Sequence, residues 1–328
     1  MKYKCLQVAN GDFSPALLQK TANLLKRNPE YYTIWNHRRR IYQNEFEDLT
    51  EQVKTERISD DERQSQVLDI LQLDLQFLFP LLLKFPKCYW IWNHRLWLLD
   101  QSRLLLPQAK SRALWSEELG LVGKMLARDS RNFHGWSYRR TVIANLESLD
   151  DSSMAKSELE YTTKMISANL SNFSAWHNRS KLIVRTLEEQ KADAGERKAM
   201  FEEELKLIHK ALFDPYDQSL WFYHQNLMCC LDPAMAQQTM VPDLLPEERL
   251  AYVAGEQEFV EELLEDTDDC KWIYQSLIEL AFLEARLRGS EIGGQHKERI
   301  LEWVESLKSL DSLRTGRWND LEKTVRNE

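Results

Sequence analysis

A chain of 328 residues with 29% charged residues, only 10 glycines and 9 prolines suits long helices and little β-structure. A formal charge of −9 gives no footing to a nucleic-acid partner argued from net charge. The longest apolar run, about residues 77–85, is interrupted by Pro80 and ended by Lys84 and Pro86. A membrane helix needs roughly 20 apolar residues, so no membrane insertion is expected.

The N-terminus, Met1-Lys-Tyr-Lys-Cys-Leu-Gln, lacks the apolar core of a signal peptide. Five cysteines (Cys5, Cys88, Cys229, Cys230 and Cys270) form an odd set without C-x-x-C and read as reduced packing thiols. The expectation is a soluble cytoplasmic protein.

In chain order, Leu17, Leu18, Leu24 and Leu25 give a helical stripe that stops at Asn28-Pro29, because proline disfavours helix in the residue before it. A second helix is expected over about 31–46, followed by a charged linker, Glu47–Arg63. Leu68, Leu71, Leu75, Leu78 and Leu82 keep helical spacing through Pro80, which predicts a kink or a fresh start there. Its partner starts near Tyr89. Further first helices are expected at about 111–128, 153–168 and 198–213, with Asn132 and Asn172 as N-caps of the helices that follow two of them. Asp232–Glu248, with three prolines, reads as a second linker.

A repeat organises these elements. Trp35, Trp92, Trp136, Trp176 and Trp221 lie 57, 44, 40 and 45 residues apart, each near the start of a second helix. Arg38, Arg95, Arg139 and Arg179 follow three residues later, with His224 in the fifth copy; Pro29, Pro86 and Pro215 stand six residues before their tryptophans. A degenerate sixth copy is expected around Trp272, with Gln275 at the arginine position, and a C-terminal cap at about 289–328. Such a period means a solenoid of helix pairs in one continuous domain, 1–328, each unit burying its apolar face on its neighbours. The tryptophans and arginines read as structural, the arginines bonding carbonyls or stacking on rings. The aromatics at minus three (Tyr32, Tyr89, Phe133, Phe173) read mainly as packing.

The residues that the copies do not share carry the functional signal. At minus two stand Thr33, Trp90, His134, Ser174 and Ser219; at minus five stand Glu30, Lys87, Arg131, Ser171 and Tyr216. Two adjacent units therefore place Lys87, Trp90, Arg131 and His134 at the N-terminal ends of their second helices. Free backbone N–H groups and added cations suit a phosphate or diphosphate there. The other reading, ordinary surface charge, stays open at this point. Cys88 beside Lys87 reads as an activated thiol or as a packing residue. The histidines lack ligand spacing, and no metal site is expected within the chain.

The stretches Pro29-x5-Trp35-Asn-His-Arg38, Pro86-Lys-Cys-Tyr-Trp-Ile-Trp-Asn-His-Arg95, Arg131-Asn-Phe-His-Gly-Trp-Ser-Tyr-Arg-Arg140, Ser171-Asn-Phe-Ser-Ala-Trp-His-Asn-Arg179 and Asp217-Gln-Ser-Leu-Trp-Phe-Tyr-His224 resemble the repeats of protein prenyltransferase α subunits. The likeness covers about residues 12 to 230. The third to fifth motifs look most like the α subunit of Rab geranylgeranyltransferase, the type II enzyme, in a compact form similar to fungal versions. The resemblance implies an all-α fold, a right-handed α–α superhelix curved into a crescent around a β subunit. That β subunit would hold the catalytic zinc and most of the isoprenoid pocket, with no cofactor bound by this chain.

The resemblance also implies that Lys87, Tyr89 and His134 face the diphosphate of geranylgeranyl diphosphate, Lys87 and His134 stabilising it during transfer. Phe133, where the farnesyl branch has tyrosine, is left a packing or lipid-contact role, while Arg131 and Trp90 rest on the repeat comparison alone. The implied acceptor is a Rab GTPase presented by a Rab escort protein. Two alternatives remain: the α subunit shared by farnesyltransferase and geranylgeranyltransferase type I, which the fifth motif argues against, and a tetratricopeptide-like scaffold. The latter has a period near 34 residues, against 40 to 57 here.

Overall fold

The computed structural model describes residues 13–235, 239–290 and 293–327. Cys5 and the N-terminal heptapeptide lie outside the described residues. Among the described residues every regular element is helical, with fourteen α-helices, one short 3-10 turn and no strand. The chain divides into two compact units, one ending at Ser153 and the other beginning at Met154, where the sequence pattern reads as one array.

The first unit holds α1 (Pro15–Leu25), α2 (Tyr32–Lys54), α3 (Asp60–Lys84), α4 (Tyr89–Leu105), α5 (Gln108–Arg128) and α6 (Phe133–Asp150). Each odd helix packs on the even helix that follows, and the even helices also pack on one another, α2 on α4 and α4 on α6. The second unit holds α7 (Ala155–Ala168), α8 (Phe173–Glu189), α9 (Ala194–Ala211), α10 (Gln218–Cys229), α11 (Pro246–Asp266), α12 (Lys271–Arg288), α13 (Gly294–Leu310) and α14 (Thr315–Asn327). There α8 packs on α10 and α10 on α12, while α13 and α14 close the end.

One hydrogen bond explains the tryptophan period. In all five copies the indole Nε1 donates to the backbone carbonyl six residues earlier: Trp35 to Pro29 at 2.8 Å, Trp92 to Pro86 at 2.9 Å, Trp136 to Ser130 at 2.8 Å, Trp176 to Leu170 at 2.8 Å and Trp221 to Pro215 at 2.6 Å. The ring fills the interior and its single donor ties the turn to the helix it precedes. A sixth copy keeps this bond in altered form. Tyr274 donates its hydroxyl to the Asp268 carbonyl at 2.8 Å and, like the five tryptophans, stands fourth in its helix. The register of the sixth copy therefore runs through Tyr274. Trp272 falls at the minus-two position, and the arginine position passes from Gln275 to the buried Leu277.

Arg38, Arg95 and Arg179 bind buried carboxylates. Arg38 donates to Asp74 at 2.9 Å through Nε; Arg95 meets both oxygens of Glu118 at 2.6 and 2.8 Å, and Arg179 meets both of Glu204 at 2.8 and 2.6 Å. Each acid also accepts from the next even helix, from His94 Nε2 at 2.8 Å, Tyr138 at 2.7 Å and Tyr223 at 2.5 Å respectively. One carboxylate thus links two successive second helices. In the fifth copy His224 Nε2 takes the arginine's place on Glu256 at 2.9 Å, with His209 Nε2 at 3.0 Å from the same group. The expected carbonyl bonds and ring stacking exist as well, from Arg95 to Leu75 and from Arg38 over Phe77, but they accompany a buried ion pair.

At Asp74 and Glu256 burial opposes charge, and the bonded partners outweigh it. Asp74 is pulled down to about 2 by His94 and Arg38, and Glu256 to about 2 by His209 and His224. Arg95 is likewise held above its usual value by Glu118 despite burial.

The first expected linker is shorter than the sequence pattern suggested, and the second is displaced, with α10 ending at Cys229 and α11 beginning at Pro246. Residues 47–54 continue α2, because Glu, Gln and Lys are good helix formers and Phe46 and Leu49 keep a buried face. The break is confined to 55–59, and Ser59 with Glu62 forms a capping box that opens α3. Helix α9 begins at Ala194 for the same reason, capped by Asp193 and Glu196. Pro80 neither ends nor restarts α3, which runs 25 residues as one helix.

By length and composition α3 could cross a membrane, a point missed by counting uninterrupted apolar runs. Its midpoint carries the buried, ion-paired Asp74, and Leu71, Leu78 and Leu82 are fully buried, so within unit 1 it is a core helix.

Candidate functional site

The six residues singled out in the sequence lie in unit 1, in the turns before α4 and α6 and in the first turns of those helices. Phe85-Pro86 ends α3, because the residue before proline avoids helical backbone, and leaves Lys87 in the turn. Asn132 caps α6, accepting from His134 N at 3.1 Å and Gly135 N at 3.4 Å. Its amide also donates to the Pro86 carbonyl at 2.9 Å. One side chain therefore fixes His134 and ties its turn to the residue preceding Lys87. Gly135 matches this close approach, since a Cβ there would stand 3.0 Å from a Leu126 methyl.

The aromatic side chains form a continuous ribbon. Tyr32 and Trp90 centroids are 5.4 Å apart, Trp90 and Tyr89 meet edge-to-face at 5.2 Å, Tyr89 and His134 lie 6.2 Å apart, and His134 and Phe133 lie 4.0 Å apart. The minus-three aromatics are not mainly buried packing residues: Tyr32, Tyr89, Phe133 and Phe173 are 54, 51, 64 and 46% exposed. As the first residues of their helices they project past the neighbours that cover the tryptophans. Tyr32, which sequence comparison grouped with structural positions, joins the ribbon. Its signal was the exposure of the whole set, which only the fold displays.

Lys87 is largely exposed, its Nζ 3.6 Å from Asp129 Oδ2. Arg131 is an exposed cation in the neighbouring turn, and its backbone N–H donates to Asp129 Oδ1 at 3.3 Å. The Tyr89 hydroxyl accepts from Asn93 Nδ2 at 3.3 Å, which leaves its own proton available to a ligand. Burial lowers the His134 pKa while Glu30 partly opposes the shift.

The structure brings Lys87, Tyr89 and His134 to one edge and extends it with Trp90 and Phe133, Trp90 packing between Tyr32 and Tyr89. Cys88 is no activated thiol. Its buried Sγ lies 3.6 Å from the Pro29 carbonyl, and burial pushes its pKa up to about 11. Among the described residues no group of three or more His, Cys, Asp and Glu side chains could hold a metal ion.

Residues 15–45, 71–102, 115–146 and 155–186 match the protein prenyltransferase alpha subunit repeat. The chain is 36% identical over 321 residues to the geranylgeranyl transferase type-2 subunit alpha of Schizosaccharomyces pombe, covering 96% of this chain and 87% of that one. It is 40% identical over 212 residues to the protein of the same name from Saccharomyces cerevisiae, covering 64% of this chain but 58% of the yeast protein. With the human counterpart it shares 34% identity over 228 residues, spanning 68% of this chain and 35% of the human one. The structure of Candida albicans protein geranylgeranyltransferase-I complexed with GGPP superposes with a TM-score of 0.63 over 98% of this chain and 88% of that chain, at 20% identity, a likeness of fold. The chain belongs to the family of geranylgeranyl transferase type-2 α subunits.

Proposed function

We propose that this chain is the α subunit of a heterodimeric, cytoplasmic Rab geranylgeranyltransferase. It supports transfer of geranylgeranyl from geranylgeranyl diphosphate to C-terminal cysteines of escort-bound Rab GTPases. The observation that carries this reading is the gathering of Lys87, Tyr89 and His134 on one exposed edge, with Asn132 joining the two turns. A β subunit would supply the zinc that binds the acceptor thiolate, and most of the lipid pocket.

In this transfer a cysteine sulfur bonds to C1 of the lipid as the bond from C1 to the diphosphate oxygen breaks. Negative charge collects on the departing diphosphate. The Lys87 ammonium lies on an exposed edge where it can reach that charge, while the His134 N–H and the Tyr89 hydroxyl donate from positions fixed by packing. Groups held in place before the reaction stabilise charge that appears only in the transition state. The ribbon of Tyr32, Trp90 and Phe133 offers apolar surface beside them, suited to the first isoprene units.

The test is transfer of labelled geranylgeranyl to a Rab–escort complex by a type II β subunit, with and without this chain. Transfer only in its presence supports the reading. No transfer, with a control α subunit active on the same β subunit, overturns it. Transfer to C-a-a-X peptides without an escort would instead place the chain with the farnesyltransferase and type I α subunits.

A further inference from the structure

The turn before α6 carries a charge that its architecture does not require. In four turns the side chain at minus seven accepts the backbone N–H at minus five. Asn28 accepts from Glu30 at 3.1 Å, Asp129 from Arg131 at 3.3 Å, Asn169 from Ser171 at 3.0 Å and Asp214 from Tyr216 at 3.4 Å. In two of the four a neutral amide does this work, so the turn needs a side-chain oxygen and not a carboxylate. At Asp129 one oxygen serves the turn, and the other lies 3.6 Å from Lys87 Nζ in the preceding turn.

We propose that Asp129 is a built-in counter-ion for Lys87, a positioning residue that holds the lysine at the site edge and sets how tightly the site grips a diphosphate. This rests on the reading that Lys87 meets the diphosphate. An exposed ion pair is weak, so a polyanion displaces the carboxylate from Lys87. The displaced carboxylate stays within a few ångströms and repels the bound anion. Asp129 thereby weakens binding of the lipid diphosphate, and equally of the diphosphate released when the C1–O bond breaks. The second effect keeps product from blocking turnover.

The experiment uses the assembled heterodimer carrying Asp129→Asn, Lys87→Ala or both, and measures inhibition by inorganic pyrophosphate and KM for geranylgeranyl diphosphate at two ionic strengths. The amide already serves in the Asn28 and Asn169 turns, so Asp129→Asn is expected to melt at the wild-type temperature. Pyrophosphate is expected to bind the Asp129→Asn enzyme about 3- to 10-fold more tightly, with KM falling in parallel and the gain shrinking at high salt. In the Lys87→Ala background the gain should shrink to the part that comes from direct repulsion, which a purely structural role of Asp129 would not produce. If Lys87→Ala weakens pyrophosphate binding but Asp129→Asn leaves it unchanged or weakens it, the counter-ion proposal fails and the diphosphate-site reading stands. If neither variant alters pyrophosphate binding, both fail.

Discussion

The turns before α4 and α6 in the first unit and those before α8 and α10 in the second share one plan and differ in what they present. All four tie a tryptophan to the carbonyl six residues back, and all four carry aromatic or polar residues at the exposed helix start. In both units an arginine meets a buried glutamate that a tyrosine of the next second helix also binds. The difference that bears on a polyanion lies at minus five and minus two. The first unit places Lys87 with Trp90 and Arg131 with His134 there; the second places Ser171 with Ser174 and Tyr216 with Ser219. Ser171 bonds to Asp217 and Tyr216 to Asp269, so those positions serve the turns themselves. A shared scaffold thus leaves minus five and minus two free to vary, and only one unit fills them with groups that suit a polyanion.

Breaking the shared part should cost both units alike. Arg95→Ala and Arg179→Ala each strand a buried glutamate and are expected to destabilise the fold by about 3–5 kcal/mol, read by chemical denaturation. A marked difference between the two would deny the common plan. The unshared part should respond unequally. Lys87→Ala is expected to slow single-turnover transfer by roughly 100-fold, as for loss of one transition-state donor, whereas Ser171→Ala should change it by less than about twofold. Equal losses would undo the contrast.

Acid probes the carboxylates that hold each unit. Asp74 and Glu256 are both held at about 2, below their ordinary values of 3.8 and 4.5. A carboxylate depressed by folding contributes stability that is complete above its unfolded value and is lost as pH falls toward its folded one. Melting temperature should therefore drop between about pH 4.5 and 2, with a loss on the order of 2 kcal/mol from each group. Asp74→Asn and Glu256→Gln should each flatten part of that slope, and an unchanged slope would deny the group its role. The smallest effect sharpens the repeat register. Tyr274→Phe is expected to cost about 1 kcal/mol through one lost hydrogen bond, and Trp272→Phe no more than about 0.5 kcal/mol. The reverse order would return the sixth copy to Trp272.

The repeat and its exceptions were legible because both are local. Each tryptophan bonds a carbonyl six residues away, so its spacing from Pro29, Pro86 or Pro215 is written in the chain, and Lys87 and His134 stand out against their equivalents. The helical continuation of α2 beyond Phe46 was misread because a solvated helix face and a charged linker share a composition. The sixth copy was misread because tyrosine can supply by hydroxyl what tryptophan supplies by indole.

The amino-acid sequence by itself determined the all-helical repeat, its five tryptophan registers and the two turns whose chemistry departs from the rest. Only the tertiary structure decided which of 52 acidic residues Arg38, Arg95 and Arg179 meet, that the minus-three aromatics stand exposed, and that Asp129 faces Lys87. The reason is distance along the chain. A bond closed within one turn leaves a fixed spacing to read, while a pair joined across successive helices depends on packing that no short spacing encodes.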